Sequence, residues 1–296
     1  MDKNYDSKMK ITLLTTYQCN LACKYCRVWS PNREYKEYSH KEMTQLIKKT
    51  CEVFQPDYVC FSGGEPFIRK DCIALLKIAG EYCDVGIFTN GTLITSSIAQ
   101  ILKSYQEKHG LTLTVSLDSH LEEVNDNVRG QYKNVLNGIK KLKQHKLDFG
   151  VAIVLTKQNA STILETLEYF HKNFTNEIHV LNLRPTYKVL ENASELWLPS
   201  EERLKIWVKI IDYDKADQLS LYHPFLKSGI ERCSASKLKL TVHPGGNITP
   251  CDLASDVILA NVFETDIEAK LKEPPKWSCL KNVPRPEDWA PTTIKV

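Results

Sequence analysis

Ten cysteines stand in this chain, and their spacing is its first chemical signal. Cys19, Cys23 and Cys26 fall close together near the start as C-x3-C-x2-C. Cys51, Cys60, Cys72 and Cys83 are scattered through the first third. Cys233, Cys251 and Cys279 lie in the tail, and none stands between Cys83 and Cys233. Thiolates are soft ligands for zinc and for iron–sulfur clusters. Structural zinc takes four ligands, usually as two separated pairs. Three cysteines without a nearby fourth suit a cubane cluster with one iron left open, which is a place for reaction. Zinc and three incidental thiols are the alternatives. The polar start, MDKNYDSKMK, holds no export signal, which favours a reducing cytoplasm and free or metal-bound thiols.

The elements that must carry these thiols alternate. ITLLTT (11–16), DYVCFS (57–62), VGIFTN (85–90), LTLTVSLD (111–118), FGVAIVLT (149–156) and EIHVLNLRP (177–185) are short, nearly continuous apolar runs. Helical periodicity fills 39–54, 71–82, 96–108, 131–146, 160–173 and 200–213. Ser39 with Glu42 three residues on is a capping box, and Asp71 stands near the start of the second helix. Alternating βα units predict an α/β fold with a parallel sheet and right-handed crossovers. Six of them predict an open, partial (β/α)6 barrel with ligands at the carboxyl ends of its strands. The pattern breaks after about residue 214. KLKLTV (237–242), the turn His243-Pro244-Gly245-Gly246 and NITP (247–250) then read as a β-hairpin, followed by a proline-rich tail. The expected division is therefore a barrel over 1–214 and a small cysteine-bearing extension over 215–296.

Several of these strand ends resemble one family. YQCNLACKYC (17–26) is similar to the C-x3-C-x-aromatic-C signature of radical S-adenosylmethionine (SAM) enzymes, with Tyr25 at the aromatic position. FSGGEP (61–66) resembles the family's GGEP segment. Thr89-Asn90-Gly91 ends the third strand as family members often do, VSLDS (115–119) ends the fourth, and Arg129 follows on the next loop. KLKQHKLDFGVAIVLTKQN (141–159) resembles the stretch into the fifth strand, so the likeness runs roughly from 9 to 190 in order.

The resemblance implies a [4Fe-4S] cluster on Cys19, Cys23 and Cys26, with SAM chelating the open iron. One-electron reduction then yields methionine and a 5′-deoxyadenosyl radical that abstracts hydrogen from a substrate C–H bond. Gly63 and Gly64 would meet the methionyl amino group, with Glu65 near that ammonium. Asn90 joins the cofactor site, Ser116 reaches the ribose or carboxylate, Arg129 pairs with the carboxylate, and Ile153 to Leu155 line the adenine. Each has an ordinary alternative: a plain turn, a strand-end hydroxyl, a solvated charge, core packing. Cys51 and Cys72 read as packing, as does Cys60 on the second strand, which is also a candidate hydrogen-atom donor to a substrate radical. Arg184 and Tyr187 follow the sixth strand and could touch substrate.

CSASKLKLTVHPGGNITPC (233–251) resembles the opening of the Twitch or SPASM extensions, which hold auxiliary iron–sulfur clusters. Cys233, Cys251 and Cys279 are the expected ligands of one such cluster, too few for a two-cluster SPASM module. Its fourth site is open to substrate, water, an external thiol, His243 or Asp252, and zinc on this hairpin is the alternative.

Composition bounds the rest. Hydrophobic residues make up 42% and charged residues 25%, the ordinary globular balance. A diffuse net charge of +3 argues against nucleic acid as a partner, and no apolar run reaches the length of a membrane span. The expected activity is an oxidoreductase- or transferase-type enzyme of natural product biosynthesis that modifies a ribosomally made peptide by epimerisation, a thioether or a carbon–carbon link. A small metabolite (sugar, aminocyclitol or cofactor precursor) is the second reading, and a non-SAM iron–sulfur or zinc protein the third. A flavodoxin or ferredoxin would supply electrons. Only about ten residues precede the first strand, so a separate protein could supply leader-peptide recognition.

Overall fold

The computed structural model describes residues 8–28, 36–217, 220–222, 238–252, 254 and 256–272. The barrel units appear in the expected order: β1 (Lys10–Thr16), α1 (His40–Phe54), β2 (Tyr58–Gly63), α2 (Cys72–Ala79), β3 (Asp84–Thr89), α3 (Ser96–Gln106) and β4 (Leu111–Ser116). Then come α4 (Glu122–Val128), α5 (Tyr132–Gln144), β5 (Gly150–Leu155), α6 (Ile163–Asn173) and β6 (Glu177–Asn182). The helix α4 was not expected, and it carries Arg129 as its C-cap rather than on an open loop. Beyond β6 lie α7 (Tyr187–Glu191), α8 (Ala193–Leu196), α9 (Ser200–Asp217), β7 (Ser220–Tyr222), β8 (Lys239–Val242), β9 (Asn247–Thr249), β10 (Ala260–Asn261) and α10 (Ile267–Lys272). The capping box of α1 forms: the Ser39 side chain accepts from the Glu42 N–H, and Glu42 accepts from the Ser39 N–H at 2.8 Å.

All strands join one sheet in the order β10-β9-β8-β1-β2-β3-β4-β5-β6-β7. Pairings from β8 through β7 are parallel; β9 and β10 pair antiparallel. The hairpin therefore continues the sheet: Lys10 to Leu13 of β1 face Lys239 to Val242 of β8. The expected boundary between 214 and 215 falls inside α9.

Strand side chains alternate between two faces. Leu13, Phe61, Ile87, Val115 and Ile153 are buried with the apolar sides of the helices, Leu46, Leu75, Leu102, Ile139 and Leu167 among them. The opposite face is small and polar. Across it Thr241, Thr12, Cys60, Gly86 and Thr112 stand in register. Helices shield one face, so the other is free to meet a ligand. Among the described residues, no helix is long and apolar enough to cross a membrane.

Candidate active site

The site begins where β1 runs out. A register shift between Leu14 and Thr16 makes Thr15 an extra residue, and its hydroxyl donates to the Ser62 carbonyl at 3.2 Å. Such bulges re-aim a strand end, and here the chain turns into the cysteine loop. Gly63 and Gly64 lie directly beneath that turn. A Cβ on Gly63 (φ +126°) would sit 2.3 Å from the Thr16 carbonyl oxygen, and one on Gly64 1.9 Å from that of Gln18. Instead the Gly64 N–H donates to Thr16 (2.9 Å) and the Glu65 N–H to Gln18 (2.8 Å). The approach of the two chain segments alone accounts for both glycines.

Glu65 is fully buried. Its oxygens accept from the Asn90 N–H (2.7 Å), the Thr89 hydroxyl (2.7 Å) and the Phe67 N–H (3.1 Å). Burial still pushes its carboxyl above the ordinary value, against the pull of those donors. The carboxylate thus ties the end of β2 to the end of β3. The Asn90 amide in turn reaches the Asn20 side chain (2.9 Å) and the Cys19 sulfur (3.9 Å).

Glu65→Gln puts an NH2 where the protein presents only donors. It should cost about 1–3 kcal/mol, read by urea unfolding. The pH dependence has a definite sign. A raised folded-state pKa stabilises below the ordinary glutamate value of about 4.3 and loses that contribution as pH rises through the folded value. The Gln variant should lack this slope.

Of the three thiols, Cys19 is exposed and Cys23 and Cys26 are half-buried. Burial pushes Cys23 up to about 11, opposed by Arg129, and also raises Cys19. The charge of Cys26 adds to both shifts, so the three are electrostatic neighbours. Among the described residues, no three His, Cys, Asp or Glu side chains are grouped to hold a single metal ion.

Tyr25 anchors the far side of the loop. Its hydroxyl donates to Asp118 (2.5 Å) and accepts from Arg129, whose guanidinium also lies 5.7 Å from the ring centre. Arg129 and Asp118 are 3.9 Å apart and both deeply buried. Burial raises the Asp118 carboxyl although Arg129 opposes it. Burial works against the Arg129 charge, yet Tyr25, Cys23 and Asp118 hold its pKa above the ordinary value. Asp118 also accepts from the Val154 N–H at 2.9 Å, and its backbone is fixed by Asn125 (3.2 Å) and Asn159 (2.9 Å). Asp118, Asn125 and Asn159 went unnoticed in the sequence, though an acid inside the apolar run LTLTVSLD is a signal of a paired buried charge.

Other expectations move. Ser116 is half-buried at the end of β4. Ile153 and Leu155 are buried in the main core cluster with the helices. Val154 between them packs with Tyr25, Val128, Leu183, Val189, Leu196 and Trp197, because alternate strand residues face opposite ways. The helices α7 and α8 cover this cluster, while Arg184 and Tyr187 stay exposed. Cys60 is buried on the polar face. In the extension, Cys251 is half-buried, and Cys233 and Cys279 lie outside the described residues. His243 and Asp252 are engaged elsewhere. The His243 ring nitrogens bond Tyr17 and Thr249, and Asp252 pairs with Arg27 at 2.7 Å.

The profile of the radical SAM superfamily matches residues 13–170, more than half of the chain. This chain belongs to the radical SAM superfamily. It is 26% identical over 280 residues to mycofactocin maturase MftC of Mycolicibacterium smegmatis, across 90% of this chain and 70% of that protein. In fold it resembles anSMEcpe, solved with bound AdoMet (TM-score 0.73, 18% identity, 90% of this chain and 80% of that one). It also resembles Streptococcus suis SuiB, solved with the precursor peptide SuiA (TM-score 0.72, 19% identity, 90% and 65%). This chain thus spans about two thirds of the length of SuiB.

Membership in the radical SAM superfamily makes the chain an enzyme with a four-iron, four-sulfur cluster and SAM as cofactors. The residues present fit both. Three thiols share one loop, close enough to act on one another electrostatically. Beside them the Arg129 Nε is buried without a hydrogen-bond partner. Leaving such a donor unpaired is costly, and a carboxylate-bearing ligand would satisfy it.

Proposed function

We propose that this enzyme modifies a ribosomally made peptide, with Cys19, Cys23 and Cys26 holding the SAM-binding cluster. The observation that carries the reading is the likeness to a maturase along 90% of the chain. An architecture seen with a precursor peptide in SuiB is consistent with it. When bound, the cluster and SAM supply a 5′-deoxyadenosyl radical that takes hydrogen from an unreactive C–H bond.

The chain's own residues do the positioning. Glu65 holds the Thr89-Asn90 turn, and Asn90 steadies Cys19. Arg129, braced by Asp118 and Tyr25, offers its Nε–H to the SAM carboxylate. Ser116 offers a hydroxyl at the strand end. The Gly63-Gly64 backbone meets the amino group, and Val154 with the Tyr25 cluster lies against the adenine. The C-terminal extension is Twitch-like: Cys251, with Cys233 and Cys279, holds one auxiliary cluster. Since His243 and Asp252 are committed to other partners, its fourth site falls to substrate, water or an external thiol.

Cys60 is the hydrogen-atom donor of this reading. It stands in the polar face, and burial pushes its thiol up to about 11, so the S–H bond is intact at neutral pH. Giving that hydrogen to a substrate carbon radical leaves a thiyl radical, which one electron and one proton from a flavodoxin or ferredoxin system restore. Cys60→Ala should cleave SAM as well as the wild type while losing the epimerised product. Unchanged product removes the role.

The test is anaerobic reconstitution with iron and sulfide, then dithionite and SAM. 5′-Deoxyadenosine should form, with about eight irons per chain for two clusters or about four for one. A precursor peptide encoded beside the gene should lose two hydrogens or take up deuterium from D2O. An unaltered peptide alongside a consumed sugar or cofactor precursor establishes the small-metabolite reading instead. No 5′-deoxyadenosine at all overturns both.

A further inference from the structure

The C-terminal hairpin grips the cysteine loop at both ends. At the entrance, the Tyr17 hydroxyl lies 2.7 Å from His243 Nδ1, His243 Nε2 lies 2.9 Å from the Thr249 hydroxyl, and that hydroxyl donates to the Cys251 carbonyl at 3.0 Å. The chain has one direction. A hydroxyl has a single proton, and Thr249 gives it to Cys251. Thr249 therefore accepts from His243 Nε2–H, and in the neutral ring Nδ1 then accepts from Tyr17. His243 is buried, and its turn is closed by bonds from the His243 N–H to the Asn247 carbonyl (2.9 Å) and from the Gly246 N–H to the His243 carbonyl (2.9 Å). At the exit, Arg27 pairs with Asp252 at 2.7 Å. Tyr17 stands two residues before Cys19; Arg27 directly follows Cys26, as Asp252 follows Cys251. The middle of the loop is held by the barrel instead, through the Lys24 N–H to the Val128 carbonyl (2.9 Å) and Lys24 to Glu195 (2.6 Å).

We propose that the hairpin is a positioning device for the SAM-cluster loop: Tyr17, His243, Thr249, Arg27 and Asp252 fix both ends of the loop and lock Cys251 to it. This rests on the reading that Cys19, Cys23 and Cys26 hold the cluster. It assigns residues of the C-terminal extension a part in the first cluster, whatever metal the extension itself binds. The buried chain supplies directional restraint. The Arg27–Asp252 pair is partly exposed and supplies orientation.

The test compares His243→Leu, which breaks the chain, with His243→Gln, whose amide oxygen and NH2 can accept from Tyr17 and donate to Thr249. Full-length metal-free protein is followed by hydrogen exchange, reconstituted protein by iron loss to a chelator and by the SAM-dependent change in the electron paramagnetic resonance spectrum. In His243→Leu, exchange across residues 17–28 and iron loss should speed roughly five- to tenfold, as for loss of about one buried hydrogen bond. The SAM-dependent spectral change should shrink. His243→Gln should restore all three. Arg27→Gln, Asp252→Asn and the double variant should match one another, the mark of a shared contact. Equal behaviour of the Leu and Gln variants, or wild-type exchange and spectra in both, overturns the proposal. Wild-type protein that takes up no cluster sinks the cluster reading, and the exchange comparison still decides the hairpin's grip.

Discussion

Replacing Cys19, Cys23 and Cys26 together by Ala should abolish SAM cleavage while leaving the fold standing. The three thiols are exposed or half-buried on a loop and none belongs to the core. Surface substitutions of this kind change stability by about ±0.5 kcal/mol. The metal-free triple variant should therefore melt within a few degrees of the metal-free wild type. Its reconstituted form should hold about four irons fewer, and 5′-deoxyadenosine should fall to background. Cys251→Ala makes the contrast: under the proposed auxiliary cluster it should lower the iron content and keep SAM cleavage. A triple variant that still cleaves SAM would remove the loop from the chemistry.

Arg129→Leu should be the most damaging single change to stability. It removes the partner of Asp118 and Tyr25 in a closed site. Breaking one side of a buried charge pair typically costs about 3–5 kcal/mol. The loss should depend on pH, and the sign follows from Asp118. Burial already places its carboxyl above the usual range, and Arg129 holds it down. Without the guanidinium it binds a proton more tightly still, so the folded variant escapes the penalty by protonating in acid. The gap between variant and wild type, read by urea unfolding, should be wider at pH 8 than at pH 5. A gap independent of pH would mean that Asp118 is not the residue left unpaired. SAM binding should weaken as well, because the buried Nε–H goes with the side chain.

What was readable in the sequence was what short-range patterns encode. The six βα units show because each strand is a continuous apolar run between amphipathic helices, and Ser39 with Glu42 marks a helix start that forms as written. The cysteine loop shows because its chemistry is local. Errors arose where the answer depends on which way a side chain faces or what it meets across the barrel. Ile153 and Leu155 face the helix-side core, and a period of two places Val154 instead in the cluster with Tyr25. Glu65 is an acid beside the expected ligand in sequence, yet in space Thr89 and Asn90 at the end of β3, with the Phe67 N–H from its own turn, also claim its oxygens. Asp118 stayed hidden because its partners, Tyr25 and Arg129, are 93 residues before it and on a helix that no strong periodicity announces. The short helices α7 and α8, which roof the Tyr25 cluster, carry too few residues for a pattern to show.

The parallel pairing of β8 with β1 has a practical consequence for anyone trimming the protein. A fragment ending near residue 214 would strip β1 of its neighbour along Lys10 to Leu13, baring a row of backbone donors and acceptors beside the cysteine loop. Such an uncapped border invites other chains to add on. The minimal catalytic unit must therefore include the hairpin, and insoluble truncations would reflect a missing seam rather than a missing cofactor.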